Sequence, residues 1–294
     1  MNKGKLDKNK LQAILLVILS GFVYALMAVL AKAAGDISAM QKVCFRNFFM
    51  SIVILLPLLK DTSVFKLNGV QWKWLILRGL FATIGVVTTF YIYDHMSLAD
   101  ATILVKMAPC FVFITSVMLL KEKVNLQNVM PVIVSFIGAY LVIKPTFSSE
   151  PFAAIVAIIS AIATGVSHTM IRKLGALGVN KSVILLSFSI LSTVVTLPFV
   201  LFNFTPMSLK QVIIMLLCTA CATIGQMTLT VAYTKAAGKV ISVFEYSQVV
   251  FAAVFDLLIF SMIPDKLGLL GYVLIIGAAL FNAIVQTHKA EDTQ

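Results

Sequence analysis

The sequence predicts an all-α integral membrane protein of ten transmembrane helices, arranged as two inverted five-helix repeats. Three observations support this fold class. The 294 residues are 60% hydrophobic and 12% charged, with a mean hydropathy of +1.02, far more apolar than a soluble domain needs. Apolar runs of about 18 to 22 residues, each long enough as a helix to cross the bilayer, follow one another along the chain. Short motifs of the first half also recur in the second half.

Polar breaks divide the apolar runs into ten predicted spans. These are 11–33, 39–59, 73–93, 100–120, 126–144, 152–172, 181–203, 209–234, 240–262 and 266–287. The first span follows four lysines, as a signal peptide would, but it lacks a small-residue cleavage motif and leads directly into the second span. We therefore expect it to be retained.

Basic residues set the predicted orientation, because Lys and Arg accumulate on the cytoplasmic side of a membrane. With the N-terminus inside, the cytoplasmic side carries about three times as many Lys and Arg residues as the outer side, Arg78 being counted at the inner start of the third span. Both termini are then cytoplasmic. We expect the net charge of +11 to reflect this bias and contacts with membrane lipids, and not binding to nucleic acid.

The two halves are related by an offset of 139 to 140 residues. Ala82-Thr83-Ile84-Gly85 recurs as Ala222-Thr223-Ile224-Gly225, and Ile137-Gly138-Ala139 recurs as Ile276-Gly277-Ala278. These matches predict a first repeat over residues 1–148 and a second over 149–294. An odd number of spans in each repeat inverts the second one, and such folds hold their substrate near the midplane between the halves.

At an offset of 139, Lys106 in the fourth span corresponds to Glu245 in the ninth. A charge inside a span costs about 2.5–3.5 kcal/mol on insertion scales and normally faces a cavity or a partner. Both residues are therefore candidate substrate ligands. Lys106 is expected in the outer half of the membrane and Glu245 in the inner half, so they either meet through tilt and extension or line separate vestibules.

Further polar residues inside the spans are candidates for binding or proton transfer. Arg46 suits a carboxylate or a phosphate, or else it is a structural arginine. Asp256 shares a predicted helical face with Glu245 and Gln248. We select Glu245, His168 and Asp256 as candidates for proton coupling. Residues expected to line a cavity are Tyr24, Tyr91, Gln226, Tyr246 and Gln248.

Pro109 interrupts the helical hydrogen bonds one turn after Lys106, which frees a carbonyl near residue 105. No nucleotide-binding loop, zinc-protease motif or nucleophile elbow is present, so we expect no catalytic residues, no cofactor and no enzyme activity. The four cysteines lie within spans, where packing is their usual role, and we expect no metal site.

At these residues the chain resembles the EamA-type carriers of the drug/metabolite transporter superfamily. The resemblance rests on "CFRNFF" around Arg46, "ILRGLF" around Arg78, the run from "SLADATIL" to Glu122, and "IFSMIPDKLGLLGYVLIIGAAL" in the last two spans. The chain departs from the family where Gln248 replaces a frequent proline and where Met262 replaces a frequent acidic residue.

The resemblance implies secondary-active transport by alternating access of two five-helix halves, by proton coupling or exchange. A cavity with Lys106 and Arg46 on one wall and Glu245 on the other suits a zwitterion, so the expected substrate is an amino acid or a derived metabolite such as S-adenosylmethionine. We expect a monomer or homodimer in a bacterial inner membrane. The alternative is a flippase or carrier for a phosphate-bearing lipid or organic anion, held by Arg46 and Lys106. A channel or a membrane enzyme has less support.

Overall fold

The computed structural model describes residues 3–35, 37–95, 104–121, 126–143, 151–260 and 265–291. Within these ranges the chain forms helices and turns and contains no strand. The long helices are α1 (Lys3–Ala33), α2 (Ala39–Leu58), α3 (Gly69–His95), α4 (Ala108–Leu120), α5 (Leu126–Ile143), α6 (Pro151–Ala176), α7 (Lys181–Phe202), α8 (Leu209–Lys235), α9 (Ser247–Phe260) and α10 (Lys266–Glu291).

Three helices begin at capping residues that supply acceptors for free backbone N–H groups. The Ser38 side chain accepts from the Gln41 N–H before α2, and Asn180 accepts from the Ser182 N–H before α7. Ser208 and Gln211 form a reciprocal capping box at the start of α8. The predicted starts of these three spans are therefore confirmed to within a residue.

The chain is an integral multi-pass membrane protein. Six described helices, α1, α2, α3, α6, α7 and α8, are long and apolar enough to cross a bilayer, and α4, α5, α9 and α10 contain shorter apolar stretches. Large apolar side chains face outward, such as Phe202 at 87% and Leu258 at 73% exposure, as expected of surfaces that contact lipid. The count of ten spans and the inversion of the repeats stay predictions.

The helices of the first half pack mainly against helices of the second half. The principal pairs are α1 with α8, α3 with α6, α2 with α7, and α5 with α10, and α4 and α9 pack on α6 and α1, respectively. The α5–α10 crossing depends on two glycines, because a Cβ on Gly138 would lie 2.7 Å from the carbonyl oxygen of Gly271. Because the principal helix pairs join the two halves, helices of both halves line the space between them.

The predicted fourth and ninth spans are not continuous α-helices. In the fourth, residues 104–105 are helical, Lys106 and Met107 form a turn, and α4 starts at Ala108 with Pro109 in its first turn. Proline lacks an N–H and excludes the carbonyl of the preceding turn, which explains this break. In the ninth, a single turn (Gly238–Ile241) and a 3₁₀ segment (Ser242–Tyr246) precede α9.

Candidate binding site at two interrupted helices

Lys106 lies in the turn before α4, where the chain leaves helical geometry. Its Nζ donates a hydrogen bond to Gln248 Oε1 at 2.7 Å, and both side chains are half-buried. Gln248 belongs to the first turn of α9. The structure therefore brings together two candidate residues from opposite halves of the chain.

Tyr246 forms a second link between the two interrupted helices. It is fully buried, and its hydroxyl donates to the backbone carbonyl of Lys106 at 2.9 Å. The Cys110 Sγ lies 3.8 Å from the same hydroxyl. A carbonyl at a helix break needs a partner when no water is available, and here a side chain of the second half supplies it.

Glu245 lies in the 3₁₀ segment and contacts two aromatic side chains. The Tyr233 hydroxyl donates to Glu245 Oε1, and His168 Nδ1 lies 3.6 Å from the same oxygen. The rings of His168 and Tyr233 are 5.1 Å apart between centroids. This contact brings together two of the three side chains that the sequence analysis selected as candidates for proton coupling.

The sequence analysis did not select Tyr233. It lies at the last turn of α8, two residues before the Lys235 that ends the helix, and it is fully buried. The depth of Tyr233 in the predicted eighth span is the signal that could have identified it from the sequence. A tyrosine near the predicted inner end of the eighth span would reach the same level as His168 near the predicted inner end of the sixth.

Lys106 and Glu245 interact electrostatically, but in the described part of the chain they do not form an ion pair within 4 Å. The Lys106 ammonium is bonded to Gln248, three residues beyond Glu245 in sequence. The arrangement is therefore intermediate between the two alternatives from the sequence, a direct contact of Lys106 with Glu245 and a separate vestibule for each residue. The two charges are near neighbours in one polar region, and each has its own uncharged partner.

Tyr24 lies on α1, where that helix packs against α8. Its ring packs on the backbone of Gly225 in α8, where a Cβ would lie 3.0 to 3.2 Å from three ring carbons. Its hydroxyl interacts electrostatically with Arg46, Arg78 and Glu245. Tyr24 and Arg46, both selected from the sequence, thus belong to the same region as Glu245.

Arg78 corrects the sequence analysis, which counted it on the cytoplasmic side. It is the tenth residue of α3, only 1% exposed, and its guanidinium lies over the Phe188 ring at 4.7 Å from the centroid. The third helix starts at Gly69, four residues before the predicted start, so Arg78 lies more than two turns inside it. Arg78 is a buried charge and not an interfacial anchor.

The remaining candidates have separate positions. Gln226 follows Gly225 on α8, and its buried Oε1 has no hydrogen-bond partner among the described residues. Tyr91 packs edge to face on Phe152, with ring centroids 6.3 Å apart, in a cluster that includes Val105. The Asp256 side chain lies outside the described part of the structure. The helical face predicted for Asp256 and Glu245 does not run through both, because Glu245 precedes α9 in the 3₁₀ segment.

A cavity of about 390 Å³ lies at the C-terminal ends of α4 and α6, and neither Lys106 nor Glu245 lines it. It is lined by Lys121, Arg172 and Lys173 together with apolar residues. Arg172 is already bonded, since its Nη1 donates to the Thr234 carbonyl at 3.0 Å. The polar region at Lys106 and Glu245 carries more varied chemistry, with a cation, a carboxylate, an imidazole and hydroxyls.

Comparisons with known proteins agree with a transporter. Residues 11–144 match the model of the EamA-like transporter family. The pseudopaline exporter CntI of Pseudomonas aeruginosa strain UCBPP-PA14 is 29% identical over 279 residues, covering 94% of this chain and 96% of the exporter. An S-adenosylmethionine uptake transporter of Rickettsia bellii is 24% identical over 271 residues, covering 89% and 92%. The resemblance stated from the sequence is confirmed.

The fold also has a solved counterpart. A crystal structure superposes with a TM-score of 0.79 at 14% identity and covers 93% of this chain and 96% of its own. At that identity the similarity concerns the fold alone. The names of the sequence relatives indicate transporters and not enzymes.

Proposed function

We propose that this chain, whose first half matches the EamA-like transporters, is a secondary carrier that moves a small zwitterionic metabolite by alternating access. The observation that carries the proposal is the pair of interrupted helices. Lys106 lies at one break and Glu245 at the other, and each side chain reaches partners near the boundary between the two halves. Interrupted membrane helices at a repeat interface are the usual place for a transported ligand.

The helix contacts support two inverted repeats over residues 1–148 and 149–294. Adding five to the helix number converts the α1–α8 contact into α6–α3, the α4–α6 contact into α9–α1, and the α3–α7 contact into α8–α2, and each of these is present. The α2–α7 and α5–α10 contacts convert into themselves. Rocking of one half against the other around the polar region would expose it to each side in turn.

The substrate class follows from the charges at the site. A carboxylate accepts hydrogen bonds from the Lys106 ammonium, and an ammonium group donates to Glu245. One relative, the S-adenosylmethionine uptake transporter of Rickettsia bellii, is named for a compound of this class. We propose an amino acid or an amino-acid-derived zwitterion such as S-adenosylmethionine.

Proton coupling is proposed at Glu245 with His168. The carboxylate and the imidazole are separated by 3.6 Å, and both side chains are mostly buried, at 15% and 12% exposure. A proton shared at this site changes the local charge at the moment when the ligand ammonium competes for the same oxygen. We also propose Asp256, the third candidate from the sequence, as a residue that takes part in proton coupling.

The alternative substrate is an organic anion or a phosphate-bearing lipid. One observation favours it, because Arg46 is 9% exposed and its Nε and Nη2 have no hydrogen-bond partner in the part of the chain that the structure describes. Guanidinium groups bind phosphate in a bidentate manner.

The test is ligand-induced stabilisation of the purified chain in detergent. The panel contains amino acids, S-adenosylmethionine, nucleotides, choline-like cations and organic phosphates, measured with wild type, Lys106→Ala and Glu245→Ala. A ligand at 100 times its dissociation constant adds about 2.7 kcal/mol to the unfolding free energy, which raises the melting temperature clearly. Arg172→Ala serves as a control, because that arginine bonds the Thr234 backbone carbonyl and is not a hydrogen-bond partner of Lys106 or Glu245.

Stabilisation by a zwitterion that disappears in both site variants and persists in the control supports the metabolite carrier. Stabilisation by phosphates alone, lost in Lys106→Ala and kept in Glu245→Ala, contradicts it and favours the organic-anion carrier.

A further inference from the structure

Two buried arginines in the first half lack partners for their planar N–H donors. Arg46 on α2 is 9% exposed and Arg78 on α3 is 1% exposed. Arg46 Nε and Nη2, and Arg78 Nε and Nη1, find no hydrogen-bond acceptor among the described residues. An arginine presents five N–H donors and stays charged, so this burial is costly unless an acceptor is bound during function.

The contact between Arg78 and Phe188 does not remove this cost. The cation–π contact places the centre of the planar guanidinium 4.7 Å from the ring centroid. The N–H donors point from the edge of the same plane, and an acceptor must lie in that plane to satisfy them. Two nitrogens on the edge of each guanidinium group therefore have no acceptor among the described residues and could donate to an anion.

Tyr24 connects the two arginines to the region already described. Its hydroxyl is buried without a hydrogen-bond partner in the described residues, and it interacts electrostatically with both arginines and with Glu245. Both arginines lie against α7, because Asn47, next to Arg46, donates to Ser192 Oγ at 2.7 Å, and Ser192 is one turn from the Phe188 that Arg78 covers. Lys106 and Gln248 lie in the polar region that Glu245 shares.

The charges of these groups do not balance. Arg46, Arg78 and Lys106 carry three positive charges. Among the described residues, the negative charge that interacts with Lys106 and Tyr24 is that of Glu245. A ligand with one carboxylate and one ammonium adds no net charge and leaves the excess in place. A ligand with a further acidic group reduces it.

We infer that Arg46, Arg78 and Tyr24 form a second anion-binding subsite, which receives an additional carboxylate or phosphate of the transported zwitterion. The inference rests on the proposed carrier function and narrows its substrate class to amino compounds with at least two acidic groups. Lys106 and Glu245 hold the amino-acid part of the ligand, and the arginines hold the second acid in a bidentate hydrogen bond.

The experiment compares matched probes on the purified full-length chain in detergent. Glutamate is compared with glutamine, and O-phosphoserine with serine, since each pair differs mainly in one acidic group. Dissociation constants come from the concentration dependence of thermal stabilisation. The variants are Arg46→Met, Arg78→Met and the control Arg172→Met, whose arginine is bonded to the Thr234 carbonyl.

We expect wild type to bind the acidic member of at least one pair about tenfold more tightly than its neutral partner, a difference of about 1.4 kcal/mol. The preference should disappear in Arg46→Met and Arg78→Met and persist in Arg172→Met. A preference for glutamate alone identifies a carboxylate subsite, and a preference for O-phosphoserine alone identifies a phosphate subsite. Equal affinities within both pairs in wild type would overturn the inference.

A second measurement needs no ligand. Because an unpartnered buried charge destabilises the folded state, Arg78→Met should raise the melting temperature of the ligand-free chain, whereas Arg172→Met should lower it. A drop in Arg78→Met like that of the control would show a structural role and contradict the inference. If neutral zwitterions still bind through Lys106 and Glu245 while the extra acid has no effect, only the second subsite is wrong; if no amino compound stabilises wild type, the proposed function fails as well.

Discussion

Glu245 is the side chain on which most of the proposed chemistry depends. Its Oε1 accepts from the Tyr233 hydroxyl and lies beside His168, so these two side chains hold the carboxylate in place. Lys106 is held in the same manner by Gln248. Two uncharged side chains, Tyr233 and Gln248, position the two charges without cancelling them, which is what a site for an incoming zwitterion requires.

Replacement of the Glu245 carboxylate tests its role directly. Glu245→Gln keeps the shape and removes the charge, so binding of an ammonium-bearing ligand should weaken at least about tenfold, in the range of a hydrogen bond to a charged group. Tyr233→Phe keeps the ring and the carboxylate. It should cost about 1 kcal/mol of ligand-free stability and preserve binding.

Calorimetry measures the ligand affinity of each variant, and thermal unfolding measures its melting temperature, so both predicted effects can be compared with wild type. Unchanged affinity in Glu245→Gln would remove Glu245 from the binding site.

The helices α5 and α10 show how small residues set the spacing between elements. Gly138 and Gly271 lie against each other's backbone, and a Cβ at either position would approach a carbonyl oxygen within 2.7 Å. The repeat pairs Gly138 with Gly277 in sequence, yet at Gly277 no described atom lies within 4 Å of an added Cβ. Related positions in the two halves therefore have different packing.

This difference provides a matched pair of substitutions. Gly138→Ala forces two backbones apart and should lower the melting temperature by several degrees, since neither carbonyl can move independently. Gly277→Ala has room for the methyl group and gains up to about 1 kcal/mol of helix propensity, so the melting temperature should stay the same or rise. Thermal unfolding of both variants in detergent checks the prediction, and an equal loss in both would contradict the close crossing.

For the whole molecule, the contacts between helices place the functional region between two halves of opposite predicted orientation. Each half contributes one interrupted helix, and neither half surrounds the polar region alone. The predicted number of membrane spans decides which side of the membrane each connection between helices faces. Ten spans with the N-terminus inside put the α2–α3 connection in the cytoplasm and the α7–α8 connection outside.

Labelling of single cysteines in intact cells tests this topology. In a background where the four native cysteines are replaced by Ala or Ser, Phe204→Cys should react with a membrane-impermeant maleimide from outside. Ser63→Cys should react only after the membrane is opened, because it lies in the exposed α2–α3 connection, which the predicted topology puts on the inner side. Labelling of both residues from the same side would exclude the proposed topology.

Much of the fold could be predicted from the sequence, because a membrane constrains the length and the polarity of each segment along the chain. Hydrocarbon thickness sets the length of each apolar run, capping residues such as Ser38 and Ser208 set the starts of helices, and charged residues inside spans stand out by their cost. Lys106 and Glu245 were found in this way, and so was the helix break at Pro109.

The partners of these residues could not be read in the same way, since they depend on where separate helices cross. A continuous ninth helix was the simplest expectation, and its 3₁₀ segment moved Glu245 away from the face of α9 and toward Tyr233 and His168. The charge of Arg78 was placed on the cytoplasmic side because hydropathy cannot distinguish an interfacial arginine from a buried one. Composition and periodicity record the solvent around each segment, whereas the pairing of Lys106 with Gln248 and of Tyr246 with a carbonyl follows from long-range packing.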